Sequence, residues 1–156
     1  FLSNQIAMIG LRFFSVYGPF GRPDMAYYSF TNSISNRKEI KLYNHGNMYR
    51  DMTYIDDIID GIIGSLELIK TISEPGNTLI NLGNEHPVRT TDLLREIEKR
   101  LNIVAKIRYE NSSNESKYTH ADIGKAKALF GYMPKFNLDE GLSRFIKWYK
   151  NYEHIH

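Results

Sequence analysis

Residues Leu11 to Tyr17 form a nearly continuous apolar run, interrupted mainly by Arg12 and Ser15, which breaks at once into Gly18-Pro19-Phe20-Gly21-Arg22-Pro23. A run this short, without strict alternation of apolar and polar residues, is the pattern of a strand buried on both faces, as strands of parallel sheets are. The glycines and prolines that follow cannot continue a regular element, so the chain must turn there into a loop. A buried parallel strand needs helices on both sides of its sheet. This one feature therefore restricts the chain to an α/β arrangement.

The rest of the chain alternates accordingly. Asp24 is placed to cap a helix running to about Asn36, with Ala26, Tyr27, Phe30 and Ile34 on one face. Ile40 to Tyr43 reads as a short strand, Asn44 to Asn47 as a turn, and Asp51 to Ile55 as a strand preceded by Arg50. Ile55, Ile58, Ile59, Ile62, Ile63, Leu66 and Ile69 then recur at helical spacing, with Asp56 and Asp57 at the start and Lys70 at the end to suit the helix dipole. Gly61 and Gly64 within that helix each cost about 1 kcal/mol relative to alanine, which close packing against a sheet would offset. Further on, Thr78 to Leu82 is a strand, and Thr90 or Thr91 is suited to cap a helix ending at Leu101. Ile103 to Tyr109 alternates as a strand, Asn111 to Lys117 is an irregular polar loop, and Asp122 to Phe130 is a short helix closed by Gly131. Asn137 and Glu140 have capping-box spacing ahead of a last helix whose apolar face is Leu138, Leu142, Phe145, Ile146 and Tyr149. Short strands alternating with helices around one connected core predict a single unit over 1–156.

Composition limits the chemistry. The chain has 156 residues and no cysteine, which removes a disulfide framework, a thiolate metal site and a cysteine nucleophile. Its formal charge of +2 comes from basic residues that are spread out rather than clustered, so no nucleic-acid partner is expected. No apolar stretch approaches the roughly 18 residues of a membrane-spanning helix. The five histidines show no ligand spacing, so no metal is expected. Asp56 and Asp57 are adjacent, so on a helix they diverge by about 100° and suit dipole complementarity better than paired acid/base work.

In parallel α/β sheets ligands bind outside the carboxyl ends of the strands. The loop from Gly18 to Pro23, with its one arginine, is therefore a candidate binding loop, although a rigid turn with Arg22 facing water has the same composition. The segment Leu11 to Ala26 closely resembles the extended short-chain dehydrogenase/reductases, specifically the UDP-glucuronate 4-epimerase group and its capsule-biosynthesis relatives. The resemblance continues through Lys41 to Ile58, resumes from Asn81 to Leu94, and returns from Ala121 to Tyr149. It implies the C-terminal part of a Rossmann-type fold, namely the last parallel strands plus the small substrate-binding α/β region. In that family a nucleotide sugar is oxidised at C4 by NAD, the keto intermediate rotates, and hydride returns to the opposite face.

The resemblance also implies roles for residues. Ser15 matches a hydroxyl or amide that contacts the sugar; otherwise it is a strand-end serine bonded to nearby backbone. Arg22 matches an arginine that clamps the uronate carboxylate, for which a planar guanidinium offers two parallel charged hydrogen bonds. Tyr43 matches an aromatic ring beside the uracil, or else it is a half-buried strand tyrosine. Arg50 matches an arginine on the UDP diphosphate, with simple solvation as the alternative. Of Phe13 and Phe14, which alternate across the strand, Phe13 is the candidate to meet the nicotinamide if it does not simply pack in the core.

Two family motifs are absent. No tyrosine has a lysine four residues later, and neither Gly18/Gly21 nor Gly61/Gly64 completes a dinucleotide fingerprint, since Asp24 and Glu67 occupy the next positions in register. The expectation is thus a cytoplasmic substrate-binding half that lacks the NAD-binding half and is inactive alone. Its parent enzyme would be a homodimer. A cut ahead of Leu11 would expose the edge of that strand, favouring non-native association or an unusual course for residues 1–10. The alternatives are half of another nucleotide-sugar epimerase or dehydratase, or a free-standing nucleotide-sugar binding module. One departure from the family lies at Ser112 to Glu115, where relatives carry an arginine or glutamine followed by a Gly-Asp pair.

Overall fold

The computed structural model describes residues 6–111 and 116–153. The Ser112 to Glu115 departure and the first five residues lie outside them. In chain order the elements are β1 (Ala7–Phe13), β2 (Ser15–Tyr17), α1 (Ala26–Ser35), β3 (Glu39–Tyr43), β4 (Tyr49–Tyr54), α2 (Ile55–Ile69), β5 (Gly76–Leu82), β6 (Pro87–Arg89), α3 (Thr90–Leu101), β7 (Lys106–Glu110), α4 (Gly124–Phe130) and α5 (Leu138–Tyr152). The α/β alternation expected from the sequence is present.

The apolar run differs from the expected single strand. It breaks at Phe14, so β1 pairs in parallel with β5 (Leu11 opposite Ile80), while β2 pairs in parallel with β4 (Ser15 opposite Met52). A third parallel pair joins β3 to β7, with Leu42 opposite Tyr109, and β6 adds antiparallel to β4. Seven strands stand among the described residues where the sequence places five, since one divides at Phe14 and β6 is added. The three-residue strands are too short to show any periodicity, which is why β6 escapes a reading of pattern alone.

Two apolar clusters hold these layers. The larger lies among α1, α3, α5 and the β2–β4 strands and is rich in rings: Tyr17, Tyr27, Phe145 and Tyr149 are at most 1 % exposed. Tyr27 and Phe145 meet edge-on at 4.8 Å, a geometry that aromatic quadrupoles favour. Burial raises the Tyr149 hydroxyl to about 12, and that hydroxyl donates to Asn32 Oδ1 at 3.1 Å. The smaller cluster joins α2, β5 and α4 through Ile58, Ile80, Leu82, Ala126 and Tyr132. Gly61 makes this packing possible: a Cβ there would lie 2.7 Å from Leu82 Cδ1. Gly64 meets Phe130 of α4 rather than a strand. Only part of the α2 apolar stripe is covered, and Ile59, Ile63 and Leu66 remain about half exposed.

The capping expectations divide. Asn137 Oδ1 accepts the Glu140 amide at 2.9 Å, and Gly131 closes α4 at φ 69°. Helix α3, however, has Arg89 at its N-cap with no side-chain cap, because the Thr90 hydroxyl donates instead to the Met48 carbonyl at 3.0 Å. Helix α1 begins at Ala26 behind Met25, and Asp24 is engaged elsewhere. Asp56 and Asp57 do lie in the first turn of α2, but Asp57 is fully buried and accepts the Lys135 and Phe136 amides at 2.8 and 3.2 Å. It ties α2 to the approach to α5. Burial raises its pKa against the opposing pull of those two amides.

Candidate functional site

Two hollows lie side by side and share Met25 and Tyr27. The larger, about 580 Å³, is floored by buried apolar side chains such as Phe30, Leu42, Met52 and Leu93. Its polar lining comes from separate elements: Ser15 opens β2, Tyr43 ends β3 and Arg50 lies in β4. The parallel register that sets Ser15 opposite Met52 brings β2 and β4 to one wall. Along β4 the pleat sends Arg50 and Met52 to the cavity and the intervening Asp51 to the other side. Arg50 Nη1 donates to the Tyr49 carbonyl at 3.0 Å and the Ser116 carbonyl at 2.7 Å, which hold the guanidinium at the rim. Lys41, on the same rim, sits 3.4 Å from Glu110.

The smaller hollow, about 390 Å³, opens past the carboxyl end of β2 and is walled by Phe13, Phe14, Val16, Pro19 and Phe20, with Arg22 at its edge. Phe14 also packs on the smaller core cluster, whereas Phe13 is about half exposed. The loop around this hollow is built on Tyr27. Its hydroxyl donates to the Gly18 carbonyl at 3.2 Å, and a Cβ on Gly21 would sit 1.6 Å from the hydroxyl oxygen, so a larger residue there must displace the Tyr27 ring. Gly18 itself has φ +146°, where a side chain would also strike Ile55.

Of the four substrate-side residues expected from the sequence, the structure gathers Ser15, Tyr43 and Arg50 around the larger hollow. Arg22 lines the smaller one and is committed to Asp24: Nε lies 3.0 Å from Oδ1, and Nη2 bonds Oδ2. That pairing holds the Asp24 carboxyl below its usual range. Asp24, read from sequence as a helix cap, lines the larger hollow. Arg-Pro-Asp places opposite charges two residues apart on either side of a proline, a local signal of this pairing that the capping reading obscured.

Asp51 carries no obvious sequence signal and is densely hydrogen-bonded beside the site. It is fully buried and accepts the amides of Asn84 (2.7 Å), Glu85 (3.1 Å) and Ala121 (2.9 Å) and the Thr53 hydroxyl (3.1 Å). It fastens β4, the turn after β5 and the segment before α4 into one unit beneath the cavity. No cluster of three or more potential metal ligands occurs among the described residues. No helix among them is long and apolar enough to cross a membrane.

Parallel strand pairs crossed over by helices, with hollows at strand ends, define the doubly wound, Rossmann-like α/β class. The chain belongs to the NAD dependent epimerase/dehydratase family, whose sequence pattern matches residues 2–83. It is 41% identical over 94% of its length to UDP-glucuronate 4-epimerase 2 of Arabidopsis thaliana, of which it covers 37%. It is also 45% identical over 92% of its length to an uncharacterized protein of Methanocaldococcus jannaschii, covering 43% of that chain. Among solved structures, UDP-glucuronic acid 4-epimerase from Bacillus cereus in complex with UDP-glucuronic acid and NAD superposes with a TM-score of 0.83 at 34% identity. That match covers 91% of this chain and 45% of the other. The chain thus spans less than half the length of these relatives.

Proposed function

We propose that this chain is the substrate-binding part of an NAD-dependent UDP-uronate 4-epimerase, with the nucleotide sugar lying across the two hollows. The observation that carries the reading is the convergence of Ser15, Tyr43 and Arg50, from three strands, on one cavity of about 580 Å³. That volume is in the range of small-molecule sites. Arg50 at the rim supplies positive charge for a diphosphate, and Lys41 adds to it. Tyr43 offers a ring to the base, an interaction commonly worth ~1–3 kcal/mol. Ser15 presents a hydroxyl to the sugar from the wall that leads toward Arg22. Relatedness to UDP-glucuronate 4-epimerases over nearly the whole chain supports this assignment of the substrate class.

NAD, when bound, supplies the acceptor and donor of the hydride. The smaller hollow, with Phe13, Val16 and Pro19 in its wall, fits the apolar nicotinamide end of such a cofactor. The sequence offers no glycine-rich turn for the pyrophosphate and no Tyr-x-x-x-Lys pair. On this reading the 156 residues bind and orient substrate, while proton abstraction belongs to a complementary nucleotide-binding half, so the chain alone is inactive.

One observation favours a second reading: Arg22 faces the smaller hollow and is paired internally, as suits a relative that handles a neutral sugar by epimerisation or dehydration. Calorimetric titration with UDP separates binding from inertness. Weak saturable binding is expected, weakened about tenfold or more by Arg50→Gln, because hydrogen bonds to charged groups are worth about 1.5–3 kcal/mol. Binding of UDP that Arg50→Gln does not alter would refute the placement of the diphosphate.

A further inference from the structure

The loop between the two hollows holds a carboxylate where the proposed substrate would bring its own. Arg22 and Asp24 flank Pro23, and the Met25 amide donates to the Arg22 carbonyl at 3.2 Å, closing a turn with proline at its second position. Proline fixes its own φ and confines the residue before it to extended conformations. The segment leading into the turn is held by Tyr27, whose hydroxyl bonds Gly18 and fills the space over Gly21. The pair is therefore set by a rigid backbone, with both carboxylate oxygens meeting the guanidinium. Its side chains are nonetheless 76% and 63% exposed. An ion pair so exposed contributes little to the fold, because water and salt screen it. It is cheap to exchange.

Resting on the reading of the cavity as a nucleotide-sugar site, we propose that Asp24 is a specificity-determining residue: an internal carboxylate that occupies Arg22 until a uronate carboxylate replaces it. The position fits this role, since Asp24 borders the larger hollow, Arg22 the smaller, and Met25 and Tyr27 both. A sugar bridging the hollows reaches the guanidinium from the side where Asp24 now sits. A neutral hexose has nothing to offer Arg22 and leaves the pair intact. A uronate exchanges one bidentate carboxylate for another, with no rearrangement of the turn. Asp24 thereby lowers affinity for uronates and narrows the gap between them and neutral sugars.

The test is a set of calorimetric titrations of the whole chain with UDP, UDP-glucuronate and UDP-glucose. Asp24→Asn should raise the preference for UDP-glucuronate over UDP-glucose by about three- to fivefold, the size an exposed ion pair supports. Asp24→Glu, which keeps the charge, should stay close to the parent ratio. UDP-glucuronate carries one more negative charge than UDP-glucose, so losing any nearby acid could favour it through the general field. An Arg22→Gln background separates the two causes. There, Asp24→Asn should leave the ratio where Arg22→Gln set it. A shift of equal size with and without Arg22 overturns the proposal, as does an Asp24→Asn protein with an unaltered or lowered preference. If UDP itself fails to bind the parent chain, the nucleotide-sugar reading falls and this inference with it. Retained UDP binding with an unmoved ratio removes the Asp24 role alone.

Discussion

Asp51 and Asp24 both belong to the neighbourhood of the cavity, and they could hardly be treated more differently by the fold. Asp51 stands between two cavity residues on β4 and is turned to the opposite face, fully buried, with three backbone amides and a hydroxyl around its oxygens. Asp24 lies on an exposed turn, its side chain paired with the Arg22 guanidinium. A buried carboxylate is tolerable only when its hydrogen-bonding capacity is filled, and once filled it is a rigid fastener. An exposed one is replaceable, as the proposed exchange with a substrate carboxylate requires. The rigid member supports the site, and the exchangeable one faces it.

Removing each should expose this contrast most strongly in stability. Asp51→Ala leaves three amides without their acceptor and should cost about 3 kcal/mol or more by urea denaturation, at ~1–3 kcal/mol per stranded group. Asp51→Asn keeps one carbonyl acceptor and should cost less. Asp24→Asn should leave the urea midpoint where it is. Equal losses at the two positions would break the comparison.

A smaller effect sharpens it through pH. Asp57 is also buried, and burial outweighs its two amide bonds and raises its pKa. The folded chain then binds that proton more tightly than the unfolded one. Its stability contribution is full below the ordinary aspartate value near 4 and is lost as pH rises through the raised folded value. Asp57→Asn removes this loss. The stability of the variant relative to the parent should therefore climb between pH 4 and pH 7, and a flat or falling difference would show that the amides dominate after all.

These contrasts also mark what the sequence can reveal. Long elements were readable: α2 from its repeat of isoleucines, α5 from Asn137 and its apolar face, β3 and β5 from their apolar stretches. The break at Phe14, the three-residue β6 and the fastening by Asp51 were not, because each depends on partners far along the chain and leaves no local period. Asp51 meets Ala121 across 70 positions. Within the site, Ser15, Tyr43 and Arg50 follow from the family resemblance, and spacing alone does not place residues of β2, β3 and β4 around one hollow. The turn at Arg22 illustrates the opposite failure. Its local signal was present, and a second plausible local role for Asp24, capping α1, concealed it.

In the proposed function, a nucleotide occupies the cavity that β2, β3 and β4 build together. Two-dimensional NMR of the isotope-labelled chain, with UDP added stepwise, examines this residue by residue. Saturable shifts concentrated at the amides of Ser15, Tyr43 and Arg50, and small at the distant Gly64 and Leu129, are the predicted result. Shifts centred elsewhere, with those three amides unmoved at saturation, would contradict it.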